Sequence, residues 1–172
     1  MRVIAAGLMI AGCTGVPTGL RPVTDFKPER YLGKWYEIAR LDHRFEENLS
    51  NVSARYYRKD DGGIGVVNRG YNEKSGQWEE IEGTASFIKD DSVGSLKVSF
   101  FGPFYGGYHI IALDRPSYGY AMVAGPNRSY LWILSRDKTL DQKVLDELVA
   151  MADGWDFDTA GLIYVDQDRP DA

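Results

Sequence analysis

The stretch Gly33-Lys34-Trp35-Tyr36-Glu37-Ile38-Ala39-Arg40 opens a series of short β-type segments that runs through most of the 172-residue chain. Similar segments follow at fairly even intervals, and glycine, asparagine and aspartate are concentrated between them. Turn-rich stretches such as 60–63 and 72–76 separate neighbours as hairpin loops do, which predicts an antiparallel up-and-down order. We predict eight strands, at Trp35–Arg40, Val52–Arg58, Gly65–Tyr71, Trp78–Ile88, Leu96–Phe101, Tyr108–Leu113, Tyr120–Ala124 and Tyr130–Ser135.

One amphipathic helix is predicted after the strands. Thr139 can serve as its N-cap with Gln142 three residues later, and Gly154 follows its expected end. Its apolar residues recur at helical spacing, at Val144, Leu145, Leu148, Met151 and Ala152. We expect this face to pack against the outside of the sheet, with Leu162–Val165 as a ninth strand.

The predicted fold is all-β, an eight-stranded antiparallel barrel with one C-terminal helix outside it. Closure of the barrel removes every exposed strand edge and can leave room for one small ligand.

The N-terminus has the layout of an export signal. Arg2 precedes an apolar run from Val3 to Ile10, which is too short to span a bilayer, and small residues follow where a signal peptidase cuts. The sequence Ile10-Ala11-Gly12-Cys13 resembles the lipobox of bacterial lipoproteins, and Cys13 is the only cysteine in the chain. That resemblance implies cleavage before Cys13 and a thioether-linked diacylglycerol on its thiol. With Thr14 next, it also implies sorting to the outer membrane.

Three regions follow from this interpretation. Residues 1–12 are predicted to be a lipoprotein signal peptide, residues 13–24 the lipidated N-terminus with an irregular tether, and residues 25–172 the barrel domain. Removing Arg2 changes the net charge from −5 to −6 in the mature protein. An acidic balance of this kind weakens attraction to nucleic acid and anionic headgroups, so we expect no nucleic-acid partner and membrane attachment through acyl chains.

Three further segments occur in order along the barrel region. They are Gly33–Arg40, Leu113–Pro126 and Tyr130–Arg136, and together they resemble the conserved segments of the lipocalin family. Residues 42–46 and 101–108 look most like bacterial lipocalins and their animal relative apolipoprotein D, and the resemblance covers residues 25–167. Leu113 departs from the family, many of whose members have threonine there. The chain also lacks the cysteine pairs of many animal lipocalins.

This resemblance implies a lipocalin barrel whose marker residues are Gly33, Trp35, Asp114 and Arg136. Lipocalins place the arginine against the first-strand tryptophan, and a guanidinium over an indole face contributes roughly 0.5 to 2 kcal/mol. We therefore expect Trp35 and Arg136 to close one end of the barrel as a structural pair without a catalytic role.

The family also implies a lipid-like ligand, a fatty acid or lysophospholipid, held in the lumen for binding, storage or transport in the cell envelope. Alternate residues of strand-like segments are candidates to line that lumen, although a one-residue register shift would turn them outward. The candidates are Ala54, Tyr56, Ala85, Phe87, Val98, Phe100, Tyr108 and Ile110. For each of them, plain core packing is the alternative interpretation.

Catalysis is not expected. His43 and His109 lack the paired spacing of a metal site, no second cysteine could complete one, and no serine has a nucleophile-elbow setting. We predict no cofactor and no metal. Two alternatives stay open: an envelope lipoprotein with a structural or stress-related role and a filled barrel, and a lipocalin-fold enzyme. The sequence also leaves open whether the chain forms a homodimer.

Overall fold

The computed structural model describes residues 14–170 and contains nine strands and two α-helices in this range. Cys13 and the predicted signal peptide lie outside the described residues. The strands are β1 (Gly33–Leu41), β2 (Leu49–Arg58), β3 (Ile64–Asn72), β4 (Gln77–Phe87), β5 (Ser95–Phe101), β6 (Phe104–Leu113), β7 (Tyr120–Ala124), β8 (Leu131–Ser135) and β9 (Leu162–Tyr164). The helices are α1 (Pro28–Tyr31) and α2 (Gln142–Gly154), and a 3-10 turn covers Thr159–Gly161.

The first eight strands form a closed antiparallel barrel. Each strand pairs with its neighbour in sequence from β2 to β8, and β1 closes the circle. β1 pairs with β8 through Tyr36 and Ser135, and with β2 through Trp35 and Ala54. The predicted eight-stranded up-and-down barrel is therefore confirmed. The ninth strand, β9, pairs with residues 39–41 of β1, beyond the part of β1 that pairs with β2.

The up-and-down order gives the barrel two distinct ends. The β1–β2, β3–β4, β5–β6 and β7–β8 loops share one end, here called the open end. The other three connections, β2–β3, β4–β5 and β6–β7, share the opposite end with α1, here called the closed end. There the backbone N–H of Lys27 donates to the Tyr118 hydroxyl at 3.1 Å.

A β-bulge in β1 divides the strand between two cores. The pairing with β8 shifts register between Glu37 and Ala39. Trp35 belongs to the inner apolar cluster of the lumen, whereas Ile38 and Ala39 belong to an outer cluster under α2. Because a bulge inserts one residue into the alternation, Arg40 returns to the face of Glu37, and both are buried.

The C-terminal helix packs on the outside of the barrel, as predicted, but its ends differ from the prediction. Its N-cap is Asp141 and not Thr139, because the Asp141 carboxylate accepts hydrogen bonds from the backbone N–H groups of Lys143 and Val144. Gly154 is the last helical residue, and Trp155 caps the end. Of the predicted apolar stripe, Leu145, Leu148 and Ala152 are buried and Val144 partly so, while Met151 is 41% exposed at the edge of the contact.

The N-terminal segment, residues 14–24, is the described part of the predicted irregular tether. It has no helix or strand, yet it lies against the barrel wall. The backbone N–H of Val23 donates to the Ile110 carbonyl at 2.8 Å, and Leu20 is buried in the outer cluster under α2. His109 on β6 contacts the Gly15 carbonyl through Nε2 at 2.9 Å. The described part of the segment therefore belongs to the folded domain.

Candidate functional site

The floor of the lumen is built around Trp35, which is fully buried. The Arg136 guanidinium lies over its ring, 3.8 Å from the ring centroid, and the indole N–H donates to the Tyr31 carbonyl at 2.8 Å. Arg136 also donates to three backbone carbonyls, those of Lys34 at 3.0 Å, Arg30 at 2.7 Å and Tyr118 at 3.2 Å. One side chain thus ties β1, α1 and the β6–β7 loop together across the closed end.

Two of the family marker residues shape the backbone around this pair. Gly33 has a φ of +98°, and a Cβ there would lie 3.3 Å from Nη1 of Arg136, so glycine gives both the conformation and the space. Asp114 accepts a hydrogen bond from the backbone N–H of Gly119 at 3.0 Å, which fixes the turn between β6 and β7. That turn presents the Tyr118 carbonyl to Arg136.

Above the floor, three tyrosines meet in the interior. The hydroxyls of Tyr31 and Tyr108 are 2.6 Å apart, and the Tyr56 ring lies 5.6 Å from that of Tyr31 and 5.9 Å from that of Tyr108. Burial raises the pKa of all three phenols above the ordinary value, so they are neutral at physiological pH. The interior surface is therefore mostly apolar aromatic rings, and the tyrosine hydroxyls are its hydrogen-bonding groups.

The structure brings all eight predicted lumen residues into the inner apolar cluster. Tyr56, Ala85 and Ile110 are buried, and the other five are partly buried against them. Tyr56, Phe87, Val98 and Tyr108 line the cleft at the bottom of the lumen.

Sequence reasoning missed several residues of the same cleft, namely Phe26, Pro28, Tyr31, Leu32, Ile64 and Leu96. Four of them belong to α1 and its flanks, which the strand pattern does not reach. Pro28 could have indicated the start of α1 in the sequence, because proline is favoured in the first turn of a helix.

The cleft is narrow in this structure. Its cavity volume is about 10 Å³, far below the roughly 300–1,000 Å³ of ligand pockets. That is room for about one water molecule. A chain-like ligand would enter only if rings such as Phe87 and Tyr108 moved.

Toward the open end, the lumen changes from apolar to charged. Glu37, Arg40, His43 and Glu46 form a buried group that we call the mouth cluster. Arg40 donates to the Glu37 carboxylate at 2.8 Å and to the carbonyls of Glu46 and Leu49 at 3.0 Å. His43 Nε2 lies 2.9 Å from the Glu46 carboxylate, and the Trp132 indole N–H donates to the same oxygen at 3.1 Å.

The two carboxyls of the mouth cluster have opposite pKa shifts. Burial, with the neighbouring Glu46 charge, raises the pKa of Glu37, and Arg40 opposes that shift. Burial alone would also raise the pKa of Glu46, but contacts with His43, Trp132 and Arg40 outweigh it and lower that pKa. Nδ1 of His43 and Nε of Arg40 are buried and have no hydrogen-bond partner among the described residues. The mouth cluster therefore combines two carboxyls with Arg40 and His43, which are paired with those carboxyls.

Two kinds of feature are absent from the described residues 14–170. They contain no group of three or more His, Cys, Asp or Glu side chains placed to hold a metal ion. Nor does this range hold a helix long and apolar enough to cross a membrane.

The profile of the Lipocalin-like domain matches residues 26–167 of the sequence. The chain belongs to the lipocalin family. This lipocalin is 52% identical to Outer membrane lipoprotein Blc of Vibrio cholerae serotype O1, over 95% of this chain and 96% of the relative. It is 49% identical to Outer membrane lipoprotein Blc of Escherichia coli K12, over 94% of this chain and 92% of the relative. These relatives confirm the predicted outer-membrane localisation.

More distant relatives agree with this assignment. This lipocalin is 30% identical to Apolipoprotein D of Macaca fascicularis over 91% of the chain and 83% of the relative, so the predicted likeness to apolipoprotein D is confirmed. The crystal structure of insecticyanin from the tobacco hornworm Manduca sexta superimposes with a TM-score of 0.71 at 24% identity. The match covers 89% of this chain and 87% of that one, and it shows the fold.

Proposed function

We propose that this lipocalin carries a single-chain amphiphile, such as a fatty acid or lysophospholipid, in its lumen while acyl chains on Cys13 hold it on the outer membrane. It catalyses no reaction. The observation that carries the proposal is the division of the lumen into two parts. The lower part is apolar, with Tyr56, Phe87 and Val98, and the upper part is the polar mouth cluster of Glu37, Arg40, His43 and Glu46. An amphiphile has the same division. Its chain would point to the closed end and its headgroup to the mouth.

The energy of such binding would come mainly from the chain. Burying about fifteen methylenes at ~0.8 kcal/mol each gives roughly 12 kcal/mol before costs. Association and chain ordering cost several kcal/mol of this, which leaves affinities between roughly micromolar and nanomolar. Moving rings out of the lower lumen adds a further cost, because the cleft now admits about one water molecule.

That narrow cleft favours a second candidate function, a filled-barrel lipoprotein with a structural role. In this alternative, Phe26, Tyr31 and Tyr108 are permanent core residues, and no ligand displaces them. The two functions differ in whether an acyl chain can displace these aromatic rings.

Titration with saturated fatty acids of eight to eighteen carbons separates the two candidates. Trp35 at the floor and Trp132 at the mouth both belong to the inner cluster and report on occupancy by fluorescence quenching. We expect affinity to rise with chain length until the lumen is full. An affinity that does not change with length, or no binding at all, would favour the filled barrel.

A variant pair locates the binding. Val98→Phe adds bulk to the cleft and should weaken binding of the longest acids most, whereas Ala150→Phe adds the same ring on the exposed face of α2 and should change nothing. Equal affinities of the two variants for every acid would place the ligand outside the cleft.

Native mass spectrometry of protein purified without detergent, followed by lipid extraction, tests the remaining parts of the proposal. A reproducible extra mass identifies the ligand class, and an empty barrel argues for the filled-barrel role. The mass of the polypeptide shows whether Cys13 is acylated. The same spectrum gives the oligomeric state and so tests the homodimer left open by the sequence.

A further inference from the structure

The N-terminal segment fixes where a membrane anchor attaches to the barrel. Thr14 is the first described residue and is bonded directly to Cys13. A Cβ placed on Gly107 would lie 3.2 Å from the backbone of Thr14, so the segment passes directly over this glycine. His109, two residues along β6, is fully buried between the Ser95 hydroxyl at 2.7 Å and the Gly15 carbonyl at 2.9 Å.

Gly107 is close to the open end. β6 begins at Phe104, directly after the β5–β6 turn, and runs from there toward the closed end. Because consecutive Cα atoms are about 3.8 Å apart, an acyl group on Cys13 starts within a few ångströms of Thr14. The packed segment therefore leaves the anchor beside the open end and does not let the barrel turn freely on a long tether.

The two most exposed large apolar side chains of the described residues also lie at the open end. Phe101, at the β5–β6 turn, is 66% exposed, and Phe45, in the β1–β2 loop, is 64% exposed. Tyr105 beside Phe101 is 42% exposed. In the circle of eight strands, the β1–β2 and β5–β6 loops are four strands apart, so the two phenylalanines flank the mouth from opposite sides.

The residues around the two exposed rings suit a lipid interface. The turn Phe101-Gly102-Pro103-Phe104 carries no charge, and Arg44 lies 5.2 Å from the Phe45 ring. Aromatic rings beside basic side chains are typical of surfaces in a lipid interface.

We propose that the open end of the barrel docks on the bilayer surface, with Phe45 and Phe101 in the lipid interface on either side of the mouth. Permanent attachment to the bilayer rests on the acylation of Cys13 proposed above. The orientation of the barrel rests on the exposed rings. The lumen then opens onto the leaflet, so an amphiphile passes between membrane and barrel without crossing water.

Single introduced cysteines test this orientation in the full-length lipidated protein. Cys13 is the only native cysteine, and acylation blocks its thiol, so Phe101→Cys, Phe45→Cys and the closed-end control Asp61→Cys each give one labelling site. Each variant carries an environment-sensitive NBD label and is reconstituted in phosphatidylcholine vesicles that contain brominated lipid. We expect blue-shifted emission and at least about twofold quenching at positions 101 and 45, with neither at position 61.

Three results would overturn the proposal. The first is equal quenching at position 61 and position 101, and the second is no quenching at either open-end position. The third is blue-shifted emission without vesicles together with a doubled molecular mass. This third result would assign the surface to a second copy of the chain. If the polypeptide carries no acyl chain, the acylation proposal fails separately. The same labels in a Cys13→Ser background at high lipid concentration then decide the orientation, and water-like emission at position 101 refutes it.

Discussion

Removing the Arg136 side chain should destabilise the barrel without weakening ligand binding. Arg136→Ala deletes the guanidinium that lies 3.8 Å from the Trp35 ring centroid, an interaction worth roughly 0.5 to 2 kcal/mol. It also deletes three hydrogen bonds to backbone carbonyls, each worth about 0.5 to 1.5 kcal/mol net. Solvent reaches part of this site, so we expect a total loss of roughly 2 to 4 kcal/mol.

Thermal and urea unfolding measure this loss. For a domain of this size, each kcal/mol lowers the melting temperature by about 2–4 °C, which gives a decrease of roughly 4 to 16 °C. Trp35→Ala should cost more, roughly 3 to 5 kcal/mol, because it truncates a fully buried ring. Arg21→Ala, at an exposed position, is the control and should change stability by less than about 0.5 kcal/mol.

A double-mutant cycle isolates the pair itself. Its coupling energy should equal the cation–π contribution of roughly 0.5 to 2 kcal/mol. Fatty-acid affinity, measured on the folded fraction, should barely change in either variant. A large loss of affinity with an unchanged melting temperature would falsify the structural role of this pair.

Three further predictions concern the anchor, the closed end and the N-terminal segment. Cys13→Ser should move the protein from the membrane pellet to the soluble fraction after a high-salt wash, and retention in the pellet would exclude acylation as the anchor. Gly33→Ala should cost of order 1 to 3 kcal/mol in urea unfolding, because φ is +98° and the added Cβ meets Arg136, whereas an unchanged midpoint would show that the backbone adjusts freely. Burial lowers the pKa of His109 below its ordinary value of 6.5, so the unfolded chain binds more protons than the folded chain as the pH falls. The free energy of unfolding of the wild type should therefore decrease below about pH 6.5. The decrease between about pH 8 and pH 5 should be smaller in His109→Gln.

The strands could be predicted from the sequence because each one alternates and ends at a turn-forming stretch. The predicted strand Tyr120–Ala124 agrees with the structure at both ends. β6 begins at Phe104, four residues before its predicted start, because the β5–β6 connection is a tight turn and not a loop. The four-residue helix α1 was not predicted, since a single turn has no periodicity to detect.

The sequence predicts which apolar residues share the lumen face, but it does not predict the buried Glu37–Arg40 pair of the mouth cluster. Strand alternation placed residues such as Tyr56 and Phe87 in one cluster because their strands are regular near them. The mouth cluster depends on the bulge in β1, which returns Arg40 to the face of Glu37, and no residue type in Glu37-Ile38-Ala39 specifies a bulge. Likewise, the packing of the N-terminal segment depends on Gly107 and His109 of β6, more than ninety positions away in the chain.

Closure of the barrel also sets the timing of its assembly. β1 is made first, yet its pairing of Tyr36 with Ser135 requires 99 further residues to appear. At about 5–20 residues per second, that is a delay of roughly 5 to 20 s during which one edge of β1 has no partner. Such an edge is a template for pairing with another chain. Until β8 has been made, this edge of β1 therefore remains open to such pairing.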